Sequence, residues 1–460
     1  MKNNRSLELS VLINKQLQEG LLGPMSSYFP EEMVQTYSEK GVKRRDRLYS
    51  LSNTIQTMIA SAAYEDKTLQ HSVLVFSDVL KQRTQSVLAK ETEVLAEQSL
   101  FHAKRIGRPR TRGPRIAKSK LSDISLSTSS YATARQRVPV KLMDDIFISS
   151  RQINNDATNS VHKRQWHGKE IFITDGTYLQ LQDSPELHKK YAYNSRKDTE
   201  CTQAILEGLI HQGSGCVHAY RLANRGCSEL DLVGDLIKEM PENSLILADD
   251  LYNSYAVFCL AKHQKIDIVV PAKRRRTYTL IKTIAQGDEI VEIPITSKSI
   301  KRLDKQPLRI SAPKTLIMRR ISYTNPAYPE KQSVLFTSLL DESIDKTDIV
   351  TLYASRWDIE ISIRELKTIM HINILRSKTD DMIHKELAAS IIAYNFIRKI
   401  ILSSVKSTEF SPQEGLFYEI YSSGKEVLID KRGRVFKRWS PGCLGYSAKT
   451  HPEIANPPQA

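Results

Sequence analysis

Apolar positions change period along this chain, and each change predicts a different kind of element. Up to about Leu100 they recur at three- and four-residue spacings with few breakers, as in TLQHSVLVFSDVL over 68–80, which predicts amphipathic helices. From Glu170 onward, short apolar runs take turns with helical periods. IFITDGT (171–177), GCVHAYRLA (215–223), SLILADDLY (244–252) and IDIVVPAKRRR (266–276) predict strands. SELDLVGDLIKEM (228–240) and YAVFCLAKHQ (255–264) predict the helices between them. Residues 277–340 are rich in Thr, Ile, Tyr and Val and predict strands without a convincing helix. ELAASIIAYNFIRKIIL (386–402) predicts a core helix. Beyond Ser407 the pattern loosens, and the turn-rich end HPEIANPPQA predicts partial disorder.

These shifts divide the chain into a helical region over 1–145, an α/β unit over 165–275 and a β-rich interval over 276–345. A return to the α/β unit over 346–405 and a tail over 406–460 complete it. With 460 residues there is material for several cores. Lys and Arg outnumber Asp and Glu by 67 to 52, and that surplus points to a polyanionic partner, most simply nucleic acid. The five cysteines are scattered with no paired spacing, which argues against zinc and against a disulfide framework. No apolar run approaches the ~20 residues of a membrane span, and the polar start does not read as a signal peptide. A cytoplasmic protein that works at the nucleoid is the expectation.

The charge is not spread evenly. KRIGRPRTRGPRIAKSK (104–120) holds eight Lys or Arg and no acid, with Gly and Pro residues that forbid a regular helix. Its centre, GRPR (107–110), resembles an AT-hook core, in which an extended Arg-Pro-Arg follows a narrow minor groove. Arg105, Arg108 and Arg110 are its candidate DNA contacts, while a flexible basic linker on phosphates accounts for them equally well. SSYATARQRVP (129–139) predicts a short capped helix with two arginines. A second basic run, Lys273 to Arg276, follows a predicted strand; Lys273 and Arg274 are candidates for steering DNA.

Candidate chemistry lies in three carboxylates. Asp175 and Asp249 each close a predicted strand, and open α/β sheets place their chemistry at the carboxyl ends of strands. Either alone reads as an ordinary turn or capping residue. Side by side, they would repel unless a cation lay between them. The third, Glu360, belongs to YASRWDIEISIRELKTI (353–369), read as one helix with Tyr353, Arg356, Glu360, Arg364 and Lys367 on one stripe. An exposed, salt-bridged face with Glu360 and Arg364 paired is the plainer reading of that stripe. Three hard oxygen donors without His or thiolate suit Mg²⁺, with Mn²⁺ as an alternative. Two such ions ~3.5–4 Å apart would serve in-line displacement at a phosphodiester. Trp357, slightly off the stripe, is expected to pack into the core.

These residues carry a resemblance. Tyr353-x2-Arg356-x3-Glu360-x6-Lys367 is similar to the Y-R-E-K signature of DDE transposases of the insertion-sequence-4 family. DGT (175–177) resembles that family's first catalytic block, and ILADDLY (246–252) its second, with an aromatic three residues after the Asp. The likeness runs over roughly 70–400. It implies an RNase-H-like core interrupted by a β-rich insertion and preceded by a helical DNA-binding region. It also implies two metal ions on Asp175, Asp249 and Glu360, and backbone contacts to DNA from Tyr353, Arg356 and Lys367. The activity implied is cleavage at an element's terminal inverted repeats and joining of the 3′-hydroxyl ends to target DNA, by a homodimer on DNA. Asp250 stands where relatives commonly have Arg, so the second aspartate could be either of two; Asp249 is preferred because it closes the strand directly. None of the three tryptophans lies in the β-rich interval, where some relatives hold a flipped base on Trp; Tyr278, Tyr323, Tyr328 and Phe336 are the substitutes available. The alternatives are a transposase-derived DNA-binding protein without catalysis and an RNase-H-like metal-dependent nuclease.

Overall fold

The apolar run that opens β1, Ile171–Gln180, lies inside a ten-stranded sheet in the computed structural model of the chain. The structure describes residues 23–39, 49–64, 66–78, 127–152, 165–194, 200–272, 276–304, 313–324, 330, 332–405, 427–429 and 435–437. The other strands of the sheet are β2 (Ala192–Asn194), β3 (Glu200–His211), β4 (Val217–Asn224), β5 (Leu245–Leu247), β6 (Asp267–Pro271), β7 (Thr279–Ala285), β8 (Asp288–Pro294), β9 (Thr315–Thr324) and β10 (Gln332–Thr337). They lie in the order β2-β3-β1-β5-β6-β10-β9-β8-β7, with β4 also on β3. β1, β5 and β6 run parallel, and β3 and β10 flank them antiparallel.

The parallel strands read as continuous apolar runs because both faces are covered. Ile171, Ile173, Leu245, Leu247 and Val269 face one core, while Phe172, Ile246, Ile268 and Val270 face the other. The second core is closed by α6 (Glu229–Ile237) and α7 (Tyr255–His263). The first is closed by α11 (Asp380–Val405) and by the helices near the start of the chain. Those are α1 (Glu31–Glu39), α2 (Leu51–Ala62), the helical residues 69–78, α3 (Thr128–Arg137) and α4 (Val140–Arg151). Ile55, Phe76, Tyr131 and Ile146 are buried in the same cluster as Ile391 and Phe396, so the described part of the N-terminal region shares a core with the α/β unit.

Several expectations change here. α5 (Pro185–Tyr191) and the long strand β3 stand where the sequence pattern gave no element. The β-rich interval holds the expected strands, which run antiparallel and continue the same sheet through β10. It also contains a helix, α8 (Ser297–Asp304), which its short length and high charge hid. The stretch expected as one helix is broken into α9 (Lys346–Ala354), a 3-10 turn Ser355–Trp357, α10 (Asp358–Arg364) and a π-helical turn Glu365–Ile369. In the tail, β11 (Val427–Ile429) and β12 (Val435–Lys437) pair antiparallel. The closing HPEIANPPQA lies outside the described residues.

Candidate active site

Strand register brings the two aspartates together. Ile173 pairs with Leu247 across the parallel β1 and β5, and Asp175 and Asp249 each follow two residues later; Asp175 does not close its strand as expected, because β1 continues to Gln180 against β3. Oδ1 of Asp249 accepts from the Leu251 backbone N–H at 2.7 Å and caps the turn that ends the strand. Oδ1 of Asp175 accepts from the Gly176 N–H at 2.9 Å. Burial raises the Asp175 carboxyl above its usual range; the charges of Asp249 and Glu360 add to this, and the Gly176 N–H and Arg356 oppose it. The Asp249 carboxylate thus acts on Asp175, whereas the charge of Asp250 acts on Arg276.

The broken helix reaches the same place. Tyr353 donates from its hydroxyl to the Ala248 carbonyl at 3.3 Å, tying α9 to the residue before Asp249. Arg356 is 9% exposed, with Nη2 3.7 Å from Oε1 of Glu360, so the pair formed here is Arg356 with Glu360, where the sequence suggested Glu360 with Arg364. The guanidinium lies 4.7 Å from the ring centre of Trp357. Trp357 is 60% exposed, against the expectation of core packing, because the 3-10 turn rotates it outward while Arg356 turns in. After α10, the Met370 N–H donates to the Glu365 carbonyl at 2.9 Å, a five-residue bond that widens the helix around Lys367, which is partly buried. Buried Glu365 fixes this turn by accepting from Arg398 and, at 3.0 Å, from the Tyr394 hydroxyl on α11.

A second acidic group lies on the other face of the sheet, and the sequence reading missed it. Glu207, paired with Gly176 across β3 and β1, has no exposed surface. Its Oε1 accepts from the Tyr252 hydroxyl at 2.6 Å and the Thr174 hydroxyl at 2.7 Å. Burial pushes this carboxyl up to about 8; Glu229 and Asp175 reinforce that, and the two hydroxyls oppose it. Burial also raises Glu229, with Asp175 and Asp249 adding to it. The signal available was one acid inside the apolar run AILEGLI, and a tyrosine as the aromatic three residues after Asp249.

Lys273 and Arg274, like Arg105, Arg108 and Arg110, lie outside the described residues. Of the aromatic substitutes, Phe336 is buried and cannot stack on a base, Tyr278 is exposed, and Tyr328 lies outside the described residues. Among the described residues no three acidic, His or Cys side chains stand close enough together, as they lie, to hold a metal ion. The donor set still fits a hard divalent cation: Asp175 carries repulsion from Asp249 and Glu360 that such an ion would relieve, and all three offer oxygen. Among the described residues no helix is long and apolar enough to cross a membrane.

Residues 166–396 match the family model for the transposase DDE domain. The chain is similar to the transposase InsG for insertion sequence element IS4 of Escherichia coli (strain K12), 24% identical over 318 residues, which span 67% of this chain and 69% of that protein. Among solved structures it resembles the piggyBac transposase in a synaptic complex with hairpin DNA, at 13% identity and a TM-score of 0.34, over 90% of this chain and 79% of that one, a likeness too slight to bear on the fold.

Proposed function

The chain belongs to the DDE transposases of the insertion-sequence-4 family, and from that premise we propose that it cuts the terminal inverted repeats of its own element and joins the 3′-hydroxyl ends to target DNA. In this reading Asp175, Asp249 and Glu360 hold divalent cations, Mg²⁺ or Mn²⁺. Those ions, when bound, supply activation of the attacking oxygen and stabilisation of the leaving one. The observation that carries the reading is the placement of Asp175, within β1, and Asp249, just past the end of the adjacent parallel β5, each two residues beyond the Ile173–Leu247 pair, with the charge of Glu360 bearing on Asp175. The central order β3-β1-β5-β6, parallel except for β3, supports an RNase-H-like core into which β7–β10 are inserted.

The protein's own residues divide the remaining work. Arg356, held from below by burial and beside Glu360, presents a guanidinium that can fork onto a phosphate. Lys367 adds a point charge eleven residues further on, in the π-helical turn. Trp357 offers an exposed ring beside that phosphate row, a face on which a base can stack. Two ends must be held together for joining, so a homodimer on DNA is part of the proposal. The basic GRPR arm and the N-terminal helices would bind the ends.

The test uses a linear DNA carrying the element's flanks, purified full-length protein and Mg²⁺, resolved on a denaturing gel. Wild type should give cut and joined products. Asp175→Asn and Glu360→Ala should give neither while still retarding the DNA in a binding gel. Products from either variant at the wild-type rate would remove that residue from the centre.

A further inference from the structure

Glu229 is the first residue of α6, after Ser228, and on sequence grounds it is an ordinary acid at a helix N-terminus. Its surroundings give it more to do. A Cβ built on Gly176 would stand 2.8 Å from Cδ and 3.0 Å from Oε1 of Glu229, and the same point lies 2.8 Å from Oε2 of Glu207. Two carboxyl groups therefore converge on bare backbone one residue beyond Asp175. Gly176 is not in the left-handed region, so the glycine is required there by space and not by its backbone angle. The Glu207 oxygen at this point belongs to a side chain with no exposed surface, and it has no hydrogen-bond partner. A buried oxygen left unsatisfied and aimed at a second carboxyl group calls for a proton or a cation between them, and a divalent cation would displace that proton. Burial raises the Glu229 carboxyl, and the charges of Asp175 and Asp249 add to it.

We propose that Glu229 is a fourth carboxylate of the divalent-cation centre, reaching it over Gly176, with Glu207 as a positioning residue behind it. This rests on the reading of Asp175 and Asp249 as metal ligands. The glycine of the DGT block then has a specific task, to leave room for two carboxyl groups that any side chain at 176 would displace.

The test is calorimetric titration of the full-length, DNA-free protein with Mn²⁺, alongside thermal unfolding in EDTA. Glu229→Gln is expected to weaken Mn²⁺ binding about tenfold or more and to leave the melting temperature in EDTA unchanged or higher, because one repelling charge is gone. Gly176→Ala is expected to weaken Mn²⁺ in the same way. If Glu229 only favours the helix terminus, Glu229→Gln will instead lower the melting temperature and leave Mn²⁺ binding as it was, and the proposal is overturned. Wild-type protein that takes up no Mn²⁺ overturns it as well. Asp249→Asn separates the two levels: loss of binding in this variant but not in Glu229→Gln refutes the role of Glu229 alone. Unchanged binding in both variants refutes the assignment of Asp249 too.

Discussion

Two buried acids lie on opposite faces of the sheet, and the structure treats them differently. Glu365, in the core beneath the π-helical turn, is met by the Arg398 guanidinium and the Tyr394 hydroxyl. Glu207, in the core under β1, receives only hydroxyls, from Tyr252 and Thr174, and keeps one oxygen free. Both are nearly inaccessible, so the difference lies in the partners and not in the burial. An acid matched by a buried cation serves the fold, holding the helix that carries Glu360. An acid without one, pushed up to about 8 by burial, keeps its proton at neutral pH and brings a buried charge only when that proton is displaced. The buried Asp288 and Arg319 pair in the insertion, with Nε to Oδ1 at 2.8 Å and Nη2 to Oδ2 at 2.6 Å, follows the first pattern.

The largest effect expected from this contrast is at Arg398. Arg398→Leu leaves the Glu365 carboxylate buried without its partner and should cost about 3–5 kcal/mol in denaturant unfolding. A loss below about 1 kcal/mol would mean that Glu365 does not depend on the arginine, and the contrast would collapse.

Glu207 should behave oppositely. Its folded carboxyl titrates at about 8 against an ordinary 4.5, so between those values the folded protein binds the proton and the unfolded chain does not. Stability in EDTA therefore falls as pH rises through that window. Glu207→Gln keeps an acceptor for Tyr252 and Thr174 and removes the titration. It should flatten the slope and make the protein more stable above pH 8, by roughly 1–2 kcal/mol. A variant that is less stable than wild type at that pH would show that the acid is satisfied in a way the hydrogen bonds do not reveal.

What the sequence disclosed follows from how local each signal is. The parallel strands were legible because their apolar runs are buried on both faces. The nearness of Asp175 and Asp249 was legible because each follows an apolar run that pairs with the other in parallel, although β1 runs on past Asp175 to Gln180. β3 was not, because Glu207 interrupts its apolar pattern for the sake of a contact with Tyr252, forty-five residues away along the chain. The outward turn of Trp357 was hidden too: it depends on a 3-10 turn whose geometry no single residue announces. Glu229 reads as a helix acid until Gly176 is placed opposite it.

The smallest expected effect on stability concerns Tyr353, and it decides between two roles. The family resemblance implies contact with the DNA backbone, whereas the structure gives its hydroxyl to the Ala248 carbonyl at 3.3 Å. Tyr353→Phe removes one long hydrogen bond and should cost about 0.5 kcal/mol. If the hydroxyl serves to hold the helix against the end of β5, single-turnover cleavage should slow several-fold while retardation of the end DNA stays as in wild type. If it serves the DNA, binding should weaken while its dependence on salt stays as in wild type, since a phenol displaces no counterion, with cleavage of saturated complexes little changed. The bond to Ala248 favours the first outcome, because a hydroxyl already donating to a strand carbonyl has no proton left to offer a phosphate.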